Sequence, residues 1–232
     1  MSKKQKMAEM FDNIAGTYDF LNHFLSFGID IYWRKRAVGV LKDLKPKKIL
    51  DIATGTGDLA IEAIKLNPET IIGVDISEKM LAIGKEKIKK LDLENKIELL
   101  FGDSEKLSFK NNSFDAITVG FGVRNFEHLE KGLSEMYRVL DKNGIAVMLE
   151  FSKPKTFPIK NIYNFYFQKI LPVIGKVISK NKAAYTYLSE SVGKFPDGKD
   201  FLKIMREIGF NNLRQIPLTF GIASIYVGKK ML

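Results

Sequence analysis

Apolar positions recur along this chain with two periods. Over residues 7–44 they fall at helical spacing and predict helices at Met7–Thr17, Phe20–Leu25 and Tyr32–Leu44, with Ser26-Phe27-Gly28 as a break. The pattern then changes. Lys48-Ile-Leu-Asp-Ile52 is a short apolar run between Pro46 and a pair of glycines, the mark of a buried strand. Similar runs follow at Ile71–Asp75, Ile97–Phe101, Phe114–Val119 and Ile145–Phe151. Helical patterns lie between most of them: Asp58–Lys65, a helix N-capped by Ser77, and Glu127–Leu140. Asn161–Leu171 reads as a further helix, ended or kinked by Pro172. Lys199–Ile208 is closed by Gly209, and Leu213–Leu218 with Ile222–Gly228 reads as a final strand pair.

Apolar strands alternating with helices predict a Rossmann-like α/β fold, with a seven-stranded, mostly parallel sheet covered by helices on both faces. No internal repeat or low-complexity linker divides the chain. The expected organisation is one domain over 1–232, with a helical N-terminal cap at 1–45 and a helical insertion at 153–197. Ligands of such sheets bind beyond the carboxyl ends of the strands.

The first strand runs into Asp51-Ile-Ala-Thr-Gly55-Thr-Gly57-Asp58-Leu-Ala60, one form of the dinucleotide fingerprint. Asp75 stands 18 residues beyond Gly57, where a ribose-binding carboxylate belongs, and Asp103 follows the third strand. Charge separates two ligands. A nicotinamide dinucleotide would set a pyrophosphate over a turn flanked by Asp51 and Asp58. One like-charge pair about 4 Å apart costs roughly 4 kcal/mol at an effective dielectric of about 20. S-adenosylmethionine has no phosphate and carries a sulfonium and an ammonium, so carboxylates favour it. Asp103 is acceptor-only when ionised and suits the adenine amino group. The bland alternative for each Asp is a cap or turn residue, and Asp58 is the most open to it.

Composition narrows the partners. Cysteine is absent, which removes disulfides, thiolate nucleophiles and Cys-type zinc sites and fits a cytoplasmic protein. The first residues lack the apolar core of a secretory leader, and no run is long and apolar enough for a membrane-spanning helix. The net charge is +10, and 151–196 holds eight lysines against the single acid Glu190. The same stretch carries Phe157, Tyr163, Phe165, Tyr166, Phe167, Tyr185 and Tyr187. Aromatic stripes at helical spacing are commonly core. With lysines between them they also suit a substrate cap that touches anionic lipid at the inner face of the cell membrane.

Several segments resemble the ubiquinone/menaquinone biosynthesis C-methyltransferases, within the class I S-adenosylmethionine-dependent enzymes. They are Leu50–Asp58, Gly73-Val-Asp75-Ile-Ser and Gly102-Asp103, then Tyr18–Trp33, Phe121-Gly-Val-Arg-Asn125, Arg138–Gly144 through Leu149–Pro154, Tyr187–Ser191 and Phe195-Pro196. The similarity spans nearly the whole length. It departs at Leu21, where the family usually has Met, at Asp30 (usually His), and in Asp141-Lys-Asn-Gly144 (usually Lys-Pro-Gly-Gly). Gly120 replaces a Ser, so only a backbone contact carries over there.

The resemblance implies S-adenosylmethionine held by Asp51, Gly55, Thr56, Gly57, Asp75, Ile76, Asp103, Ser104 and Gly120. It implies C-methylation of a prenylated quinol, demethylmenaquinol to menaquinol. A benzoquinol precursor of ubiquinone, another small-molecule substrate, and a non-catalytic ligand-binding protein or nicotinamide oxidoreductase on the same fold are the alternatives. A nucleic-acid methyltransferase would explain the charge, but Val119–Asn125 lacks the Asn/Asp-Pro-Pro-aromatic motif of amino-methylating enzymes, so no nucleic-acid partner is expected. Self-association is left open.

Methyl transfer is an in-line displacement for which the protein supplies alignment and electrostatics. A hydroquinone carbon becomes nucleophilic as a neighbouring phenol loses its proton, so a group near the ring must accept the proton or stabilise phenolate. The candidates are Arg124 and Asn125 past the fourth strand, with Asp19 and Tyr18 closing over the site. Arg124, a permanent cation, would stabilise phenolate or orient water. Its bland reading pairs it with an acid such as Glu127, and that of Tyr18 and Asp19 is packing and capping. His23 reads as packed or at the surface and His128 as exposed at a helix start. Two histidines so placed suggest no metal site.

Overall fold

The computed structural model describes residues 3–26, 28–166 and 182–231. Two helices open the chain, α1 (Lys3–Leu25) and α2 (Ile29–Gly39). The pattern over 7–25 predicts two helices where there is one, because nothing at Tyr18-Asp19 breaks the backbone. The break is Gly28, at φ 74°, which a glycine adopts without steric cost. The helix expected to reach Leu44 stops at Gly39, and a single 3-10 turn covers Lys42–Leu44.

Strand β1 (Lys48–Ile52) is followed by α3 (Asp58–Ala63), β2 (Thr70–Asp75), α4 (Glu78–Lys90), β3 (Ile97–Phe101) and β4 (Phe114–Gly120). Then come α5 (Leu129–Val139), β5 (Leu140–Phe151), α6 (Ile159–Phe165), α7 (Lys182–Lys194), α8 (Lys199–Ile208), β6 (Asn211–Leu218) and β7 (Ala223–Lys229). Ser77 caps α4 as expected, its Oγ accepting from Met80 N at 3.2 Å. The second half of the helix expected to Leu171, with Phe167 and Lys169, lies outside the described residues, as do Pro172, Lys176 and Lys180 beyond it.

The seven strands form one sheet in the order β3-β2-β1-β4-β5-β7-β6. Pairings among β1 to β5 are parallel, and β7 runs antiparallel between β5 and β6. Along β5, Val147 and Leu149 face one core while Ala146 and Met148 face the other, as the two-residue period of a strand requires. Trp33, Ala37, Leu59, Ala60, Leu81 and Ile88 from α2, α3 and α4 fill the first core. Leu133, Met136, Phe201 and Met205 from α5 and α8 fill the second. Strand order reverses between β1 and β4, and the crevice beyond their carboxyl ends is where such sheets bind ligands.

Candidate active site

The turn after β1 is built for tight reversal. Gly55 and Gly57 stand at φ 57° and 83°, angles that favour glycine. A side chain at Gly55 would enter open space over the turn, whereas one at Gly57 would meet Leu99 and Ile88 at ordinary contact distance. Gly57 is therefore needed for its backbone angle, and Gly55 is the position facing the cleft.

Beneath the turn Asp51 is 1% exposed. Its oxygens accept from Thr54 Oγ1 and Thr118 Oγ1, each at 2.6 Å. Burial pushes its pKa up to about 6, against the two hydroxyl bonds that lower it. Asp75, at the end of β2, accepts from Gly55 N at 2.8 Å and Ser77 N at 2.9 Å. A carboxylate oxygen has two lone pairs, so each oxygen of Asp75 can hold the turn and still accept from a ligand. Burial raises the Asp75 pKa. Asp103, beyond β3, meets Lys4 Nζ at 2.7 Å. Its pKa is lowered although burial, the largest influence, opposes that; the bonds from Lys4 and the Glu105 amide prevail.

Above these loops a cleft opens, enclosing about 710 Å³ of non-protein space including its part open to solvent. Gly55, Asp75, Ile76, Asp103, Ser104 and Gly120 line it, as do Tyr18 and Asn125. Asp51, Thr56, Gly57, Asp19 and Arg124 do not. Asp51 lies below the turn, and the hydroxyl of Thr56 is turned to Asp19 Oδ1 at 2.6 Å. Asp58 bonds to Lys87 and lies 3.3 Å from Arg34 Nη2. It is a neutralised first residue of α3, and its charge no longer weighs against a pyrophosphate.

Arg124 needs a larger correction. Its side chain is 7% exposed and pairs with Glu150 Oε1 at 2.8 Å, not with Glu127. Its other donors reach the Phe121 carbonyl and Ser191 Oγ. The guanidinium also lies over the Phe151 ring at 5.4 Å. A cation so occupied is committed to the loop after β4. Its neighbour Asn125 reaches the cleft, and Asn125 Oδ1 accepts from Tyr187 OH at 3.0 Å. Burial raises the Tyr187 pKa.

Other lining residues had no motif to mark them. Lys4, Met7 and Phe11 of α1 roof the cleft with Tyr18. At roughly 100° per residue these four fall on one narrow face of the helix, the signal that could have found them. Glu105, 1% exposed, accepts from the amides of Glu127 and His128 at 2.7 and 3.0 Å and lies 2.9 Å from Lys4 Nζ. His23 meets the buried Asp30 at 2.8 Å, and His128 is exposed. Asp30 also accepts from Ser26 and Arg34, so the departure from His at this position makes an ion-paired hinge between α1 and α2. Among the described residues no cluster of His, Asp or Glu could hold a metal ion, and no helix is long and apolar enough to cross a membrane.

The residues present fit S-adenosylmethionine. The Gly55 position leaves room for a ligand over the turn, Asp75 has acceptor capacity to spare for a ribose diol, and Val74, Ile76, Met80 and Phe126 offer apolar walls for a ring.

Known proteins agree. A demethylmenaquinone methyltransferase of Bacteroides fragilis is 48% identical over 229 residues, covering 98% of this chain and 94% of its own. A ubiquinone/menaquinone biosynthesis C-methyltransferase UbiE of Geotalea uraniireducens is 46% identical, covering 98% and 97%. Among solved structures, a SAM-dependent methyltransferase of Thermotoga maritima superposes with a TM-score of 0.67 at 20% identity, over 97% of this chain and 99% of its own. A phosphoethanolamine N-methyltransferase 2 of Haemonchus contortus, solved with S-adenosyl-L-methionine, gives 0.62 at 15% identity over 85% and 52%. These two likenesses speak for the fold alone. The profile of the ubiE/COQ5 methyltransferase family matches residues 1–230, and with this cleft and these relatives the chain belongs to that family of S-adenosylmethionine-dependent methyltransferases.

Proposed function

We propose that this protein transfers a methyl group from S-adenosylmethionine to a ring carbon of a prenylated quinol, demethylmenaquinol being the substrate. One observation carries the reading: a cleft at the β1/β4 switch with carboxylates on its floor and an apolar helical roof. The bound cofactor supplies an electrophilic methyl on a sulfonium. Asp75 takes the ribose hydroxyls, Asp103 and Ser104 flank the adenine, and the Gly55 and Gly120 backbone leaves room at the reactive end. Asn125 and Tyr18 are the cleft residues assigned to the quinol, and Tyr187 holds Asn125 in place. Asn125 donates to the phenolic oxygen as it loses its proton, which favours the carbon nucleophile. Arg124 acts through the loop, fixing Phe121 and Asn125 against Glu150.

Residues 1–45 are assigned as the cap over the cofactor and 153–197 as the substrate cap. We place the protein in the cytoplasm, in peripheral contact with the inner face of the membrane. Two aromatic side chains support the contact. Phe157, beyond β5, is 82% exposed, and Phe220, between β6 and β7, is 75% exposed; both lie at the carboxyl end of the parallel strands. Phe220 stands at φ 57°, between Thr219 at 44° and Gly221 at 88°. A bulky residue held there points to a function that outweighs the strain.

The test is turnover with S-adenosylmethionine and chemically reduced demethylmenaquinone, followed by mass spectrometry of the lipid. A product heavier by one methylene, with S-adenosylhomocysteine in equal amount, is expected. Methylation of a benzoquinol precursor alone would move the assignment to ubiquinone, and no product from either would overturn it.

A further inference from the structure

Helix α1 does more than cover the cleft. Lys4, Asp12 and Asp19 share a face with Met7, Phe11 and Tyr18, all within about 140° of arc at roughly 100° per residue. Each polar member reaches a different loop. Lys4 meets Asp103 and Glu105 beyond β3 at 2.7 and 2.9 Å. Asp12 accepts from Ser77 Oγ and the Lys79 amide beyond β2 at 2.5 and 3.2 Å. Asp19 accepts from Thr56 Oγ1 in the glycine turn beyond β1 at 2.6 Å. The roof is therefore fastened to the three loops beyond β1, β2 and β3 that are proposed to hold the cofactor's adenosine side, with a lining of apolar side chains between the fastenings.

The third fastening has a cation at its centre. Lys87, on α4, donates to Asp19 Oδ2 at 2.9 Å and Thr56 Oγ1 at 3.2 Å, and to Asp58. One ammonium thus meets the roof, the turn and the first residue of α3, and its three donors are all used. Asp58 continues to Arg34 and, through it, to Asp30 and His23 at the α1–α2 hinge. Without Lys87 the carboxylates of Asp19 and Asp58 would face one another across Thr56, and α1 would hold the turn by the Asp19–Thr56 bond alone, beside that unscreened repulsion.

We propose that Lys87 is a positioning residue for methyl transfer, locking the roof helix and the glycine turn as one unit around S-adenosylmethionine. The inference rests on the cofactor reading above. Lys87 does not line the cleft, so it acts through Asp19 and Thr56.

Isothermal titration with S-adenosylmethionine and steady-state turnover decide it, with wild type, Lys87→Met, Lys87→Arg and Asp19→Asn compared. Lys87→Met should weaken cofactor affinity about tenfold, the scale of a typical coupling between linked elements. KM for the cofactor should rise alike, while KM for the quinol stays within about twofold. Lys87→Arg should recover most of the loss. Adding Asp19→Asn to Lys87→Met should cost little more, because both act on one fastening. A lowered unfolding temperature with cofactor affinity unchanged would assign Lys87 to structure alone and overturn the proposal, as would unchanged affinity in a fully stable Lys87→Met. Failure of the wild type to bind the cofactor would instead overturn the reading on which the inference stands.

Discussion

Replacing Asp51 with Asn should make the folded protein more stable at pH 8 and progressively less so in acid. Asp51 is buried, accepts only from the hydroxyls of Thr54 and Thr118, and titrates at about 6 against an ordinary value of 3.8. A carboxyl whose folded pKa lies above its unfolded one favours folding below the unfolded value and opposes it once both states are ionised. At ~1.4 kcal/mol per pH unit, that rise means about 3 kcal/mol against the fold above pH 6, growing in from about pH 4. Asn carries no charge at any pH. Its carbonyl can accept from one threonine while its amide donates to the other, whose hydroxyl rotates to suit. Any fixed packing change is the same at every pH. The stability of Asp51→Asn relative to wild type should therefore fall between pH 8 and pH 5 by roughly half the full effect, on the order of 1 kcal/mol. Urea unfolding of both proteins at the two pH values measures this directly. A difference that stays constant, or that favours the variant more in acid, would refute the assignment of a raised pKa to Asp51.

Asp75→Ala should weaken S-adenosylmethionine binding by ~1.5–3 kcal/mol, the worth of hydrogen bonds to a charged group, and loosen Gly55; calorimetry reads it. Because burial raises the Asp75 pKa and the ionised form is the acceptor, wild-type affinity should decline as pH falls through that raised value. Gly55→Val should abolish cofactor binding by placing a branched side chain in the cleft at a left-handed backbone angle. Arg124→Ala, which leaves Glu150 buried and unpaired, should cost ~3–5 kcal/mol of stability in urea, and Arg124→Met with Glu150→Leu should return much of it. On vesicles containing acidic lipid, Phe157→Ser with Phe220→Asn should reduce flotation while S-adenosylmethionine affinity is kept; Asn tolerates the left-handed angle that Phe220 adopts.

The fold was legible because its signals are periodic and local. Strands buried on both faces read as continuous apolar runs, and Ser77, Gly28 and Gly209 mark ends that the structure keeps. What was not legible depends on neighbours. β5 begins at Leu140, five residues before its apolar run, because Leu140 pairs with Phe114 across an irregular register in β4. α1 continues through Tyr18-Asp19 because its buried face rests on α4 and on the loops beyond the strands, contacts made with residues 30 to 100 positions away.

The same division explains the site. Backbone geometry can be read from glycines, so the turn after β1 is legible in the sequence. The electrostatics could not be, since a carboxylate's influence depends on what has already neutralised it. Asp51 and Asp58 look alike in sequence, one on each side of the turn. Asp58 is matched by Lys87 and Arg34, whereas Asp51 has only neutral hydroxyls as hydrogen-bond partners, feels Arg34 as a weaker influence than its burial, and keeps its charge at a cost to the fold. A buried carboxylate that weakens its own structure is out of keeping with stability alone, and such departures concentrate where function requires them. Asp51 sits directly under the turn on which the cofactor's cationic end is proposed to lie. We propose that its charge favours a sulfonium over a phosphate there, the discrimination that the sequence assigns to Asp51 and Asp58 together.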